Sequence, residues 1–316
     1  MKNASGLKNI HDSVEIKVPG SIANLGPGFD TLAVAVQLYL TLQVTVLPGK
    51  GRREYHFNSC KPGGENCIEK AFRFLAGEEA ENLPSLRIDV QSEIPPSAGL
   101  GSSAAATVAG LRLYELVSGP VPLQTLLNAA CTLESHPDNA AASLLGGLTL
   151  SCAMPDRSVY ATKFPWPGSL AFIVASPAFS LGTKESRAML PACVSRADLV
   201  FNLQRVALLL QLLRSGEFSL LREALDDRVH QPYRAELVPG LREALNLQHD
   251  DLLGICLSGS GPSIVAIAER NLWEIGHLLA AVYQRSGIDY QLRILEAHQE
   301  VSAQPRDFRS ALPCCS

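Results

Sequence analysis

Over residues 95–117 the chain passes from a proline pair through a glycine turn straight into a helix pattern, PPSAGLGSSAAATVAGLRLYELV. Gly99 and Gly101 carry no Cβ, so the backbone can turn tightly there and bring its N–H groups close to a ligand. The turn delivers the chain to Ser102 and Ser103, where the spacing predicts a helix over 102–117, and the first four amides of a helix have no intrahelical acceptor. Those donors and the positive end of the helix dipole make an anion site. The two hydroxyls add ligands for phosphate oxygens or a magnesium ion. Neither short phosphate fingerprint fits: there is no GxxxxGK followed by Ser or Thr, and no GxGxxG directly after a strand. The bland alternative is a plain helix start. Either way a strand over 86–90 must feed the turn, so the fold mixes strands with helices.

Two more segments pair glycines with polar groups. Residues 19–30, PGSIANLGPGFD, set Gly26 and Gly28 beside Asn24 and Asp30, which suit recognition of polar substrate groups or an Asx-turn between strands. Residues 257–263, LSGSGPS, bring Gly259, Ser260 and Gly261 into what also reads as a hairpin turn. A fourth segment, ESHPDN at 134–139, gathers Glu134, His136, Asp138 and Asn139 around a helix start. A cap with a carboxylate on the dipole explains part of it. The density of polar groups points further, to an ammonium, a magnesium ion and an oriented hydroxyl.

Composition narrows the partners. Lysine and arginine number 27 against 31 acidic residues, a net charge of −4, which argues against nucleic acid or a membrane surface. With 47% hydrophobic and 18% charged residues over 316 positions, two modest domains can each bury a core. No apolar run reaches the roughly 18 residues of a membrane span, and residues 1–12 lack the apolar segment of a secretory signal. Eight cysteines without a CxxC pair read as reduced thiols in a cytoplasmic protein, with a zinc site disfavoured.

Along the chain the patterns predict strands over 14–18 and 32–47, a polar stretch over 50–66, a helix over 68–75 and helices over 122–134 and from 137. A strand follows at 148–151, and prolines with Trp166 interrupt the pattern over 155–168. The second half reads as a strand at 170–175, helices at 195–214, 218–227 and 241–247, a strand pair within 253–268, a helix at 272–285 and a strand at 290–297. There is no regular βαβ period and no repeat. The expectation is an α+β fold of two domains, 13–164 and 165–301, with a tail over 302–316 ending in Cys314 and Cys315.

Together these segments resemble the GHMP kinase superfamily, whose Pro-x3-Gly-Leu-Gly-Ser-Ser-Ala loop stands at 95–104. Within it the chain is similar to the homoserine kinases, through ANLGPGFD at 23–30, HPDN at 136–139, Thr183, Arg187 and Pro191 in a T-x3-R-x3-P segment, PYR at 232–234 and SGSGPS at 258–263. The resemblance implies a ribosomal-protein S5-like N-terminal domain, a ferredoxin-like C-terminal domain and a cleft between them. It implies ATP-dependent phosphorylation of the side-chain hydroxyl of L-homoserine to O-phospho-L-homoserine, a step of threonine biosynthesis, with ATP and Mg2+ as cofactors.

By matched position, Pro95, Pro96, Ser97, Ala98, Gly99, Leu100, Gly101, Ser102, Ser103, Ala104 and Ala105 would wrap the phosphates, with Asn66 at the adenine. Asn24, Asp30, His136, Asp138, Thr183, Arg187, Arg234, Gly259 and Ser260 would hold the amino acid. Paired guanidinium hydrogen bonds suit its carboxylate, and Asp30 or Asp138 its ammonium. Asn139 would point at the reacting hydroxyl, Asp138 is the candidate proton acceptor, and Ser102 and Glu134 would ligate magnesium. The family pattern E-x-E-G-H-P-D-N meets two departures: Thr132 replaces its first Glu and Ser135 its glycine. Ile22 also stands where a small or hydroxyl residue is usual. A kinase for mevalonate or a sugar, and an inactive nucleotide-binding sensor, are the rival readings. A homodimer is the family-level expectation.

Overall fold

The computed structural model describes residues 13–58 and 64–302; the leader, Cys60 and the tail beyond residue 302 with its two cysteines lie outside the described residues. Strands β1 (Val14–Ala23) and β2 (Leu32–Lys50) pair antiparallel, with a register irregularity between Pro19 and Gly20. The sequence pattern stops β1 at Val18; the irregularity lets the strand pass the proline and continue to the first glycine loop. Next come β3 (Arg53–Phe57), α1 (Cys67–Ala76), β4 (Pro84–Ser92), α2 (Ser102–Ser118), α3 (Leu123–Glu134), α4 (Asp138–Leu145), β5 (Leu148–Ala153) and β6 (Val159–Phe164). They build one sheet in the order β3-β4-β2-β5-β6, with β1 on β2 and β3 parallel to β4. β3 and β6 were not expected. Both are edge strands with no apolar run, so they lack the signal that marks interior strands.

The second half contributes β7 (Ala171–Pro177), α5 (Thr183–Ala188), α6 (Arg196–Ser215), α7 (Leu221–Ala224), α8 (Gln231–Arg234), α9 (Leu241–Leu245), β8 (Gly254–Leu257), β9 (Ile264–Ala268), α10 (Leu272–Arg285) and β10 (Tyr290–Leu295). Its antiparallel sheet runs β10-β7-β9-β8, the strand order of the expected ferredoxin-like unit. The helix expected over 218–227 shrinks to α7. Asp227 withdraws the amides of Val229, His230 and Gln231 onto its own carboxylate and so turns the chain away from helix.

Strand period two sorts the second sheet's faces. Phe172, Val174, Val265 and Ile267 join the core of the first sheet, together with Trp166 and Leu209, Leu212 and Leu213 of α6. Ile173, Ala175, Ile264 and Ala266 pack with Leu279 and Tyr283 of α10. After β10 the chain returns to the first sheet. Ala297 bridges Val36, the His298 amide donates to the Ala35 carbonyl, and the His298 carbonyl accepts from the Gly147 amide. Buried Arg112 of α2 ends this strap, donating to the Ser302 hydroxyl and carbonyl. The continuous core and the strap hold the glycine loop and the second half in register. Among the described residues no helix is long and apolar enough to cross a membrane.

Candidate active site

The glycine turn sits where β4 hands the chain to α2. Gly99 and Gly101 have φ of +77° and +72°, and a Cβ on Gly99 would meet the Ser258 carbonyl at 2.4 Å. The loop's carbonyls are tied down behind it: Ala98 accepts from the Ser263 amide, Gly99 from the Ser258 hydroxyl and Leu100 from the Ser21 amide. The amides of Gly99 through Ala104 donate to no described protein acceptor. A loop with committed carbonyls and open amides at a helix N-terminus presents positive potential to the cleft. Ala105 departs from the expectation, because its amide already bonds the Gly101 carbonyl and its side chain is core; Leu100 is likewise a core side chain. Neither side chain lines the cleft.

Opposite the loop stand the charged groups. Arg187 of α5 makes a two-bond pair with Asp30, and Arg234 of α8 lies behind it, only 2% exposed. Both guanidinium groups lie over the Phe29 ring. Burial, then the charge of Arg187, pushes Arg234 down to about 10. Its Nη1 donates to the carbonyl of Gly259 at 2.9 Å, and its Nε is buried with no partner among the described residues. Asn24 and Gly259 face the cleft but are committed to scaffolding: Asn24 Oδ1 accepts from the Asp30 amide and its Nδ2 donates to Gly259. Thr183 and Ser260 line the same cleft.

The ESHPDN cluster fills the third side. His136 Nδ1 lies 2.9 Å from Asp138 Oδ1, and the hydrogen bond to that carboxylate raises the histidine above its usual range. Asp138 Oδ1 also accepts the Asn139 backbone amide at 2.8 Å and Asn139 Nδ2 at 3.4 Å, and among the described residues Oδ2 has no protein hydrogen bond. Ser21, which the sequence reading passed over, donates to Asn139 Oδ1 at 2.8 Å and so fixes Nδ2 as the donating end of the amide; one of its two protons reaches Asp138 Oδ1 at 3.4 Å and the other is left for a ligand. Glu134 Oε1 accepts from Ser103 at 3.0 Å and Thr107 at 2.6 Å, joining this cluster to α2. Thr132 turns its hydroxyl back to the Asn128 carbonyl and brings nothing to the site. Among the described residues no group of three or more His, Cys, Asp or Glu is arranged for a metal. One carboxylate beside Ser102 and Ser103 is an all-oxygen set that fits a hard ion shared with phosphates, as magnesium usually is.

A second hollow adjoins the loop through Ser97, Ser102 and Ser103, walled by Leu40, Phe57, Val90, Ile94, Pro96 and Asn66. It is apolar and suited to a flat base. Asn66 caps α1 through Oδ1, accepting from the amides of Ile68 and Glu69, so only Nδ2 is available to a ligand. Pro95 borders a separate depression beside β7 and β10 rather than the cleft, while Pro96 stands between that depression and the hollow beside Asn66. Leu181 lines the cleft and carried no polar signal in the sequence, while Ile22 is plain core.

The GHMP kinases N terminal domain model matches residues 66–147, and the GHMP kinases C terminal model matches residues 209–272. The chain is 38% identical over 278 residues to the homoserine kinase of Solibacter usitatus, covering 86% of this chain and 90% of that protein. It superimposes on the crystal structure of homoserine kinase from Cytophaga hutchinsonii with a TM-score of 0.81 at 25% identity, over 96% of this chain and 99% of that one. A galactokinase of Lactococcus lactis shares the fold, at a TM-score of 0.67 and 13% identity, over 93% of this chain and 96% of that one.

Proposed function

The chain belongs to the homoserine kinase family of the GHMP kinases, and from that premise we propose that it transfers the γ-phosphoryl group of ATP to the side-chain hydroxyl of L-homoserine. The observation that carries this reading is the facing of the open loop amides by Asp30, Arg187 and Arg234, an acceptor with two donors matched to a zwitterion rather than to a sugar or a lone carboxylate. ATP lays its triphosphate along the amides of Gly99 through Ala104 and its base in the apolar hollow beside Asn66.

Phosphoryl transfer has a loose transition state, so positioning and charge neutralisation carry most of its rate. The homoserine oxygen bonds to the γ-phosphorus as the bond to the β-γ bridging oxygen breaks, giving O-phosphohomoserine and ADP. Asn139 Nδ2 orients the attacking hydroxyl, and Asp138 Oδ2 is the unengaged carboxylate oxygen that receives its proton. Ser102 and Glu134 would hold Mg2+, which when bound neutralises phosphate charge. The cytoplasm is the proposed location, supported by free thiols at Cys67, Cys131, Cys152, Cys193 and Cys256. A homodimer belongs to the same proposal, with exposed Leu199, Val200 and Leu203 of α6 as apolar surface to cover.

ADP release measured with homoserine, mevalonate and galactose tests the reading. Turnover with homoserine alone is expected. Turnover of another alcohol at equal efficiency, or ATP binding without any turnover, overturns it.

A further inference from the structure

His230 is fully buried and stands one helical turn before Arg234. Its Nε2 lies 2.7 Å from the Gly26 carbonyl and its Nδ1 lies 3.1 Å from Arg234 Nη1. A carbonyl only accepts and a guanidinium only donates, so the ring proton sits on Nε2 and Nδ1 offers a lone pair. A protonated ring would aim a second N–H at a cation. Asp227 approaches Nε2 at 3.6 Å, but its oxygens already accept from Asn202 Nδ2 and from the amides of Val229, His230 and Gln231. The other charge facing the ring is Asp30, which is paired with Arg187. Phe29 packs on the ring with centroids 5.3 Å apart.

Arg234 Nη1 has two protons, and both are spoken for: one by His230 and one by the Gly259 carbonyl. What remains is the edge formed by Nε and Nη2. Nε is buried with no partner among the described residues, an orphaned donor that a carboxylate oxygen would satisfy. Two parallel N–H groups on one guanidinium edge are the fork that a carboxylate takes most strongly.

We propose that His230 is a positioning residue: as a neutral acceptor it fixes the roll of Arg234 so that the Nε–Nη2 edge meets the carboxylate of the amino-acid substrate. The proposal rests on the reading of Arg234 as a carboxylate ligand and adds how that ligand is aimed. Through Gly26 and Gly259 it also joins the first and third glycine segments to one side chain.

The test compares homoserine with 3-aminopropan-1-ol, which has the ammonium and the hydroxyl but no carboxylate. His230→Leu is expected to raise the KM for homoserine on the order of tenfold while leaving the KM for ATP within about twofold. Its kcat/KM for 3-aminopropan-1-ol should equal that of the unaltered enzyme. His230→Asn, whose amide oxygen stands near the place of Nδ1, should recover most of the homoserine KM. An equal loss with both alcohols, or a parallel rise for ATP, would show that His230 only packs and overturn the proposal. Nitrogen NMR of the unaltered protein gives a readout independent of any variant's folding. The Nε2–H tautomer is expected at neutral pH, and an Nδ1–H tautomer or an imidazolium refutes the role. Absence of homoserine turnover in the unaltered enzyme would instead remove the parent kinase reading.

Discussion

Arg187 and Asp30, 157 residues apart in the chain, meet across the cleft in a two-bond pair: Nη1 to Oδ2 at 2.7 Å and Nη2 to Oδ1 at 2.8 Å. These are the groups that recognition of an amino acid would assign to its carboxylate and its ammonium. A zwitterion can take both places at once, giving each side chain a new partner of the right sign. A ligand with a single charge frees one member of the pair and leaves the other unmatched. The pair is partly exposed, with 41% and 32% of the two side chains accessible, so water softens the penalty without removing it.

The first prediction follows from that exchange. Arg187→Ala should raise the KM for homoserine about tenfold or more, the scale of a charged hydrogen-bond pair, with a much smaller change for ATP. Steady-state kinetics with each substrate varied in turn decides it. Equal rises in both constants would take the carboxylate role away from Arg187.

Glu134 yields a second. Its Oε1 is held by Ser103 and Thr107, and Thr132, the neighbour where the family pattern has another carboxylate, turns its hydroxyl into its own helix. Glu134→Gln keeps an acceptor for both hydroxyls but removes the charge. The magnesium concentration giving half-maximal activity should rise on the order of tenfold. If the titration curve does not move, Glu134 is a strut between α3 and α2 and not a ligand.

The phosphate loop and the ESHPDN cluster are legible in the sequence because each is a contiguous run whose residues act on their immediate neighbours. What the sequence hides are the long-range partners. Ser21 meets Asn139 across 118 positions, and Asn24 meets Gly259 across 235. The first contact sets which end of the Asn139 amide donates and the second ties up the Asn24 amide, and no local pattern encodes either. His230 is similarly silent, an ordinary polar letter before PYR that becomes fully buried only when two loops close on it. The edge strands β3 and β6 were missed for the opposite reason, too little burial to leave an apolar alternation.

A third prediction concerns pH. The hydrogen bond to Asp138, opposed by burial, raises the pKa of His136 above its ordinary value, so the folded protein binds that proton more tightly than the unfolded chain does. The stabilisation is fully present below the unfolded value of roughly 6.5 and is lost as pH rises through the higher folded value. The difference in urea-unfolding free energy between the unaltered protein and His136→Asn should therefore be widest in mild acid and narrow as the solution becomes alkaline. A difference that grows with pH would mean that the neutral ring makes the contact.

Ser135 carries the last prediction. It closes α3 at φ 66° and ψ −2°, the left-handed conformation in which an L side chain crowds the following carbonyl, and its amide donates to the Cys131 carbonyl. The related pattern has glycine here, and the backbone angle supplies the physical reason for it. Relief of the left-handed penalty, roughly 1–2 kcal/mol, is partly offset by the extra freedom glycine gives the unfolded chain, about 0.5–1 kcal/mol. Ser135→Gly should thus stabilise the protein by about 0.5–1 kcal/mol in urea unfolding. Among the described residues the Ser135 hydroxyl makes no hydrogen bond that the exchange would remove. Should the variant prove less stable than the serine form, the turn between Glu134 and His136 is held by its side chain rather than strained by it.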